Sequence, residues 1–279
     1  MSDAASFDQE VASGERFEFG RNWTAFLSTV TEAHIDEAVS SLRQFLDRPD
    51  LTGQTFVDVG CGSGLSSLAA VRLGASRVHS FDFDPLSVTC TQEMRRRFAP
   101  DSAAWTVERG SVLDQEYLAN LGSFDVVYSW GVLHHTGAMW RALGNVRSLV
   151  ERGGTLFIAI YNDQGIASNV WMRVKRIYNR SAAGRALVVA VYLPYFVLGG
   201  ALVDVTAGRS PLRRYTDYKK SRGMSRFYDL FDWLGGYPFE VAKPEQILDF
   251  YRRHGFELVR LRTCGGKLGC NEFVFRAKA

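Results

Sequence analysis

The sequence predicts a doubly wound α/β fold with a mostly parallel, seven-stranded sheet whose last strand is reversed. Two observations support this prediction. Short apolar runs alternate with segments of helical period from about residue 54 to residue 162, as in βαβ units. Near the end, one helix-like segment is followed by two adjacent strands that a short loop joins, so these two must be antiparallel.

The predicted elements follow in order along the chain. Residues 1 to about 15 read as a frayed tail, and a helical pattern runs from Phe26 to Leu46 before Pro49 ends it. Five strands then alternate with helices, beginning at TFVDVG, RVHSFDFD, AAWTVERGSV, FDVVYSWGV and GTLFIAIYN. The final helix, PEQILDFYRRHG, precedes the strands FELVRLRTC and NEFVFRA.

These elements divide the chain into four parts. We expect an N-terminal helical lid segment over 1–50, a Rossmann-like core over 51–162, and a helical and aromatic cap insertion over 163–243. This insertion falls between strands 5 and 6, and residues 244–279 complete the core sheet with the final helix and hairpin.

The composition excludes disorder and argues for a reducing compartment. The 279 residues are 46% hydrophobic and carry a net charge of only +3, which does not call for nucleic acid as a partner. The acidic N-terminus lacks the apolar stretch of a secretory signal. No CxxC pair occurs among the cysteines, so we expect a cytoplasmic protein without a metal site; they are Cys61, Cys90, Cys264 and Cys270.

A glycine cluster follows the first strand in FVDVGCGSGLSSLA. Gly60, Gly62 and Gly64 exceed what a tight turn needs, which indicates ligand binding where the backbone can be approached closely. No Gly-Lys-Ser/Thr is present, and the third glycine comes one residue early for a dinucleotide fingerprint. Asp82 ends the second strand, where it could hold ribose hydroxyls. The pattern favours a nucleoside without phosphates.

The motifs VDVGCGSG, SFDFD, GSVLD and FDVVYSWGVLHH occur in this order at successive strand ends. In this respect the chain resembles the class I S-adenosylmethionine-dependent methyltransferases, closely over residues 54–162 and loosely over the C-terminal helix and strands. The resemblance implies S-adenosyl-L-methionine as the cofactor. It also implies that one group lines the methionine end of that cofactor, namely Asp58, Gly60, Cys61, Gly62 and Gly64.

The resemblance assigns the remaining cofactor contacts to later strand ends. Asp82 would hold the ribose, and Phe83 would lie against the adenine. Asp114, with Val112 and Leu113 beside it, would accept the adenine amino group, although Asp114 could instead cap a loop. The last pair would face the sulfonium and its methyl group; these residues are Ser129 and Trp130.

The segment FEFGRNW precedes the first long helix. Many proteins of this fold carry a segment there that closes over the cofactor, which would bring Asn22 and Trp23 to the site. The alternative is a hydrophobic staple at a helix start.

Two histidines follow the fourth strand, where this fold meets its acceptor. His135 is the favoured general base for a hydroxyl, and His134 is the second candidate, because histidine titrates near neutral pH. Either ring could instead be structural. The Asn/Asp-Pro-Pro-Tyr/Phe motif of nucleic-acid amine methyltransferases is missing at this place, so DNA or RNA is not the expected substrate.

The insertion contains eighteen residues without a charge, 186–203. A single membrane crossing would separate strands that belong to one sheet, which leaves an apolar cap over the acceptor or a segment in a membrane interface. Pro194 and the pair Gly199-Gly200 would break a long helix and so favour a cap. A homodimer contact is a further role for this segment.

Dense aromatic residues after this segment suggest an acceptor pocket with a few polar anchors. The candidate substrate-binding residues are Tyr161, Asn162, Arg222, Trp233 and Tyr237. We therefore expect methyl transfer to a small, partly apolar acceptor, most favourably at oxygen. The alternative is a non-methylating enzyme that attacks the cofactor's own side chain and releases methylthioadenosine. A nicotinamide oxidoreductase and a non-catalytic binding protein fit the glycine spacing and the intact motifs less well.

Overall fold

The computed structural model describes residues 3–210, 231, 233–266 and 268–278, with side chains from Phe7 onwards. One seven-stranded sheet has the order β3-β2-β1-β4-β5-β7-β6, in which β7 is antiparallel to both neighbours and the other pairs are parallel. This confirms the predicted fold. The strands are β1 Thr55–Val59, β2 Arg77–Asp82, β3 Trp105–Arg109, β4 Phe124–Trp130, β5 Val150–Tyr161, β6 Phe256–Arg262 and β7 Cys270–Ala277.

Helices cover both faces of the sheet, because its central strands alternate apolar side chains to either side. Phe56 and Val126 pack with the helices on one face, and Val57 and Val127 pack on the other. The helices are α1 Asp3–Ala12, α2 Gly20–Leu27, α3 Glu32–Leu46, α4 Leu65–Arg72, α5 Pro85–Phe98, α6 Gln115–Leu121, α7 Met139–Arg147, α8 Ile166–Arg180, α9 Ala182–Thr206 and α10 Pro244–Arg253.

The N-terminal region differs from the prediction in two ways. The stretch expected to be a frayed tail contains α1, whose Phe7 is buried with its ring 5.5 Å from that of Phe83. The single helix expected from Phe26 to Leu46 is two helices, since Thr31 begins α3 with a capping box whose second partner is His34.

The insertion leaves the core after β5 and returns to it before α10. Asn162 and Ala242 form an isolated parallel bridge, and the N–H of Ala242 donates to the carbonyl of Tyr161 at 3.0 Å. Between these points, α8 and α9 pack against each other. The expectation that Pro194 and Gly199-Gly200 break the apolar segment is wrong, because α9 continues through all three residues.

Candidate active site

The carboxyl ends of the parallel strands meet at a cavity of about 1150 Å³. Residues at or next to the carboxyl ends of strands β1 to β5 line this cavity, as in open α/β sheets generally. This volume exceeds that of a typical single-ligand pocket. The N-terminal segment and the β6–β7 loop close its sides; they contribute Phe7, Glu10, Arg16, Phe17, Phe19, Trp23, Arg262, Thr263, Cys264, Leu268 and Gly269.

The glycine turn after β1 requires its glycines for packing as well as for conformation. Gly60, Gly62 and Gly64 all have positive φ, at 79°, 53° and 77°. A Cβ at Gly62 would stand 3.0 Å from the indole nitrogen of Trp23, and one at Gly64 would stand 2.8 Å from Thr91. Gly60 and Gly62 line the cavity with Cys61, whereas Gly64 begins α4 outside the lining. The contact of Gly64 with the cofactor stays a prediction.

Burial raises the pKa of two carboxyl groups beside this turn. Asp58 accepts a 2.6 Å hydrogen bond from Ser67, and burial raises the pKa of Asp58 to about 7. Asp82 accepts the backbone N–H groups of Gly62 and Asp84, both at 3.0 Å, while burial raises the pKa of Asp82 to about 6. Each carboxylate has four lone-pair sites, so Asp82 keeps acceptor capacity for ribose hydroxyls.

The charge of the cavity wall suits a cationic ligand. Its only arginine or lysine side chains, among the described residues, are Arg16 and Arg262, and each is paired with a glutamate, Glu10 or Glu272. The other acidic side chains of the wall are Asp58, Asp82, Asp84 and Asp114. The sulfonium and the ammonium group of S-adenosylmethionine would offset part of this negative charge, so the residues fit that cofactor.

The expected adenosine contacts line the cavity. The ring of Phe83 lies below two guanidinium groups, with the Cζ atoms of Arg16 and Arg109 5.0 Å and 5.6 Å from its centroid. Oδ1 of Asp114 caps α6 by accepting the N–H of Tyr117 at 3.0 Å. Asp114 and Leu113 are nevertheless both part of the lining, so capping and cofactor contact are compatible.

The two residues that end β4 differ in their position. Trp130 lines the cavity, and its indole N–H donates to Glu272 at 2.8 Å. Ser129 is buried and donates to the carbonyl of Val59 at 2.9 Å. Because alternate residues of a strand face opposite sides, Ser129 does not line the cavity as expected.

The N-terminal segment covers the cofactor side of the cavity. The N–H of Gly20 donates to Asp84, and Trp23 lines the cavity at the glycine turn. Asn22 belongs to the first turn of α2, outside the lining, and its contact with the cofactor stays a prediction. Arg16 pairs with Glu10 at 2.5 Å and donates to the carbonyl of His135 at 3.1 Å.

His135 is fixed in one neutral form. Its Nδ1 lies 2.6 Å from the carbonyl oxygen of Pro238, so Nδ1 carries the proton and Nε2 the lone pair. Burial, with Lys175 and Arg16 nearby, lowers the pKa of His135 to about 3. The expectation of titration near neutral pH is therefore wrong for this ring, although it does line the cavity.

His134 has a structural position. It is fully buried outside the cavity lining, and its Nδ1 accepts the backbone N–H of Tyr161 at 3.3 Å. Burial lowers the pKa of His134 well below its usual value. A catalytic contact for His134 is thus not supported.

The predicted acceptor residues are only partly brought together. Tyr161 and Trp233 line the cavity, where the Tyr161 ring lies 5.5 Å from that of His135. Asn162 instead accepts from Asn271 at 3.0 Å, and the Tyr237 hydroxyl accepts from Arg176 at 3.2 Å. Neither lines the cavity. Arg222 lies outside the described residues.

Several lining residues were missed because their partners are distant in sequence. Arg262 and Glu272 form an ion pair across the β6–β7 hairpin, next to Cys264 and Cys270 in the wall. The alternation of the final strands could have placed these four on one face. Asp84 was also missed, although Asp before Pro85 is a typical helix start.

The sheet order, the glycine turn and the acidic strand ends define a class I S-adenosylmethionine-dependent methyltransferase fold. Residues 57–156 match the family model described as a methyltransferase domain. This part of the chain is similar to that family, and the site described above fits the cofactor S-adenosylmethionine.

Curated relatives match over a short part of the chain. Ribosomal protein L11 methyltransferase from Alteromonas mediterranea is 50% identical over 54 residues, which are 19% of this chain and 18% of that protein. The chain thus spans under a fifth of the length of the curated relatives it matches.

Solved structures match over most of the chain at low identity. Magnesium protoporphyrin IX methyltransferase from Synechocystis PCC 6803 with bound SAH has a TM-score of 0.50 and 16% identity, covering 90% of this chain and 86% of that one. An S-adenosylmethionine-dependent methyltransferase from Mesorhizobium loti has a TM-score of 0.50 and 17% identity, covering 87% of this chain and 99% of that one. The [4+2]-cyclase SpnF has a TM-score of 0.53 and 12% identity, covering 86% of this chain and 80% of that one. These likenesses concern the fold.

Proposed function

We propose that the protein transfers the methyl group of S-adenosylmethionine to a small, partly apolar acceptor, at oxygen. The observation that carries this proposal is the single cavity that joins an acidic cofactor cradle to a histidine. Asp82 and Asp114 lie on the cradle side, while His135, Tyr161 and Trp233 offer a largely aromatic wall for a second ligand. When bound, the cofactor supplies an electrophilic methyl group.

The protein residues would chiefly position the acceptor and exclude water. Nε2 of His135 is able to accept one hydrogen bond, because the Nδ1 proton is committed to Pro238. An acceptor hydroxyl could donate that bond and pass its proton to Nε2 as its oxygen is methylated. With a pKa of about 3, the ring is neutral at neutral pH and would take the proton only as the oxygen becomes positively charged on bonding the methyl group.

A nonpolar acceptor is supported by the rings around His135. Phe19 lies 4.9 Å from its ring centroid, and Phe17 packs edge-on against Phe19 at 4.9 Å. Aromatic walls with few polar groups are typical of small-molecule sites.

A cytoplasmic location is likewise proposed, in keeping with four cysteines that carry no disulfide.

The test is incubation with S-adenosylmethionine alone and with extracts, followed by mass spectrometry of the nucleoside products and of the extract. We expect the cofactor to remain intact alone and to yield S-adenosylhomocysteine and a methylated small molecule when extract is added. Methylthioadenosine released without any acceptor would instead establish attack on the cofactor's own side chain and contradict methyl transfer.

A further inference from the structure

Helix α9 presents a continuous apolar stripe to solvent. The stripe residues follow one another at intervals of three or four, so they share one helix face. Leu198, for example, is 68% exposed. The stripe consists of Leu187, Val191, Tyr195, Leu198, Leu202 and Val205. At 1.5 Å per residue it extends about 27 Å.

This exposure is not that of a core helix. The most apolar window of α9 has a mean hydropathy of 2.2, yet only 6% of that window is buried. Other side chains of the helix do pack, since Val188 is buried and Phe196 lies 5.1 Å from the ring of Trp233. An apolar surface of this extent on a folded domain marks an interaction site.

The sheet topology determines how α9 can meet a bilayer. The chain enters the insertion from β5, and β7 pairs with β5 after the chain returns. One crossing would place these paired strands on opposite sides of a membrane. Helix α9 can therefore lie parallel to the membrane surface, with its packed face against the rest of the protein.

The charges around the stripe indicate which surface it meets. Between residues 166 and 206, the only acidic residue is Asp204, which is buried. The exposed charged residues there are all arginines, namely Arg173, Arg176, Arg180 and Arg185. Positive charge beside an apolar helix complements anionic lipid headgroups, whereas a second copy would bring the same positive charge.

We propose that the α8–α9 hairpin docks on an anionic membrane surface, with the stripe of α9 in the interface. The arginines contact headgroups and the stripe residues enter the headgroup and acyl boundary. This docking does not depend on the identity of the acceptor. Because Trp233 both lines the cavity and packs on α9 through Phe196, the packed face of α9 adjoins the aromatic end of the cavity.

The test is sedimentation of the full-length protein with vesicles. We expect binding to phosphatidylcholine vesicles that contain about a third phosphatidylglycerol, weakened by salt, and little binding to pure phosphatidylcholine. The double variant Leu187→Glu/Leu198→Glu should abolish the binding. Removing arginines in Arg173→Gln/Arg180→Gln should weaken it about fivefold for each residue.

The matched control is Val259→Glu, because Val259 is an apolar residue that is 50% exposed on β6 and does not belong to the α8–α9 hairpin. It should bind vesicles as the unmodified protein does. S-adenosylmethionine binding, measured by calorimetry, should be the same in all variants and reports the cofactor site separately from docking.

Three results would overturn the proposal. They are no binding to either vesicle by protein that still binds the cofactor, equal binding to neutral and anionic vesicles, and self-association in ultracentrifugation that the glutamate variants abolish. The last result would assign the stripe to a second copy of this chain.

Discussion

The backbone N–H of Gly20 donates a 2.7 Å hydrogen bond to Oδ2 of Asp84. The other oxygen of Asp84 caps α5 by accepting the N–H of Leu86 at 2.8 Å. Asp84 in turn donates its own N–H to Asp82, the expected ribose-binding carboxylate. One side chain thus joins the covering segment, a helix start and the cofactor strand, so the position of α2 is coupled to the cradle.

Substituting Gly20→Ala should detach the covering segment. A Cβ there would lie 2.7 Å from Oδ1 of Asp84 and would also meet the Leu86 side chain, so the contact with α5 cannot form unchanged. We expect about tenfold weaker S-adenosylmethionine binding by calorimetry and faster tryptic cleavage at Arg16 and Arg21. The control Gly144→Ala, at a helical site with open space, should change neither. Unaltered affinity in Gly20→Ala would show that the segment does not contribute to cofactor binding.

Substituting His135→Asn should reduce turnover far more than cofactor affinity. Loss of a general base typically costs about 10²–10⁴-fold in rate. The matched control is His254→Asn, because the Nδ1 of His254 also lies near a backbone carbonyl, that of Phe250 at 2.7 Å, but at the surface. Steady-state kinetics with the identified acceptor would measure both. If kcat stayed unchanged in His135→Asn, the ring would be a scaffold.

The pH profile of that turnover provides a second check. Since the pKa of His135 is lowered to about 3, its ring stays neutral throughout the pH range of the assay. We expect that the turnover of the parent protein does not fall off near pH 6.5, the usual pKa of histidine, relative to the turnover of His135→Asn. A fall there that the substitution removes would contradict the neutral ring.

Cofactor binding should release protons. Burial raises the pKa of Asp58 to about 7 and that of Asp82 to about 6, and a nearby sulfonium and ammonium would lower both values. Affinity should therefore increase from about pH 5 to about pH 8, with the protons released visible as a buffer-dependent calorimetric enthalpy. Asp82→Asn should bind more weakly and release fewer protons, while the exposed Glu257→Gln should match the parent protein.

The same carboxylates should affect the cofactor-free protein in the opposite sense. Their pKa values are raised on folding, so the folded state binds more protons than the unfolded state from about pH 4 to about pH 7. Their contribution to the free energy of unfolding is complete below this window and is lost as pH rises through it. Thermal melts of the parent protein and Asp58→Asn would show this, because the variant should lose less stability over the window.

The four thiols should react in two classes. Burial raises the pKa of Cys61 well above its usual value and that of Cys90 to about 12, so both should resist a thiol reagent in the folded protein. Cys264 and Cys270 are only partly buried and line the cavity. We expect at most two thiols to react quickly, with S-adenosylmethionine slowing them. Rapid labelling of Cys61 in peptide mapping would contradict the closed glycine turn.

Local pattern was sufficient for the core and insufficient for its surroundings. The succession of strands and helices along the chain, Asp82 and the glycine turn follow from alternation and backbone geometry within short windows. Phe7 and Arg16 could not be placed this way, because their partners, Phe83 and His135, lie far along the chain. The same holds for Glu272, whose ion pair depends on hairpin register. The prediction that Pro194 breaks the apolar segment was wrong, since α9 accommodates this proline within a continuous helix.

The bridge between Asn162 and Ala242 has a consequence for how this protein could be altered. Because the insertion departs and returns at adjacent, hydrogen-bonded points, the α8–α9 hairpin could change in length without moving the sheet. The returning stretch could not be exchanged in this way, since the carbonyl of Pro238 holds His135. Grafting a different hairpin in place of α8 and α9 would offer a route to new acceptors, while the strand ends that carry Asp58, Asp82 and Asp114 remain as they are.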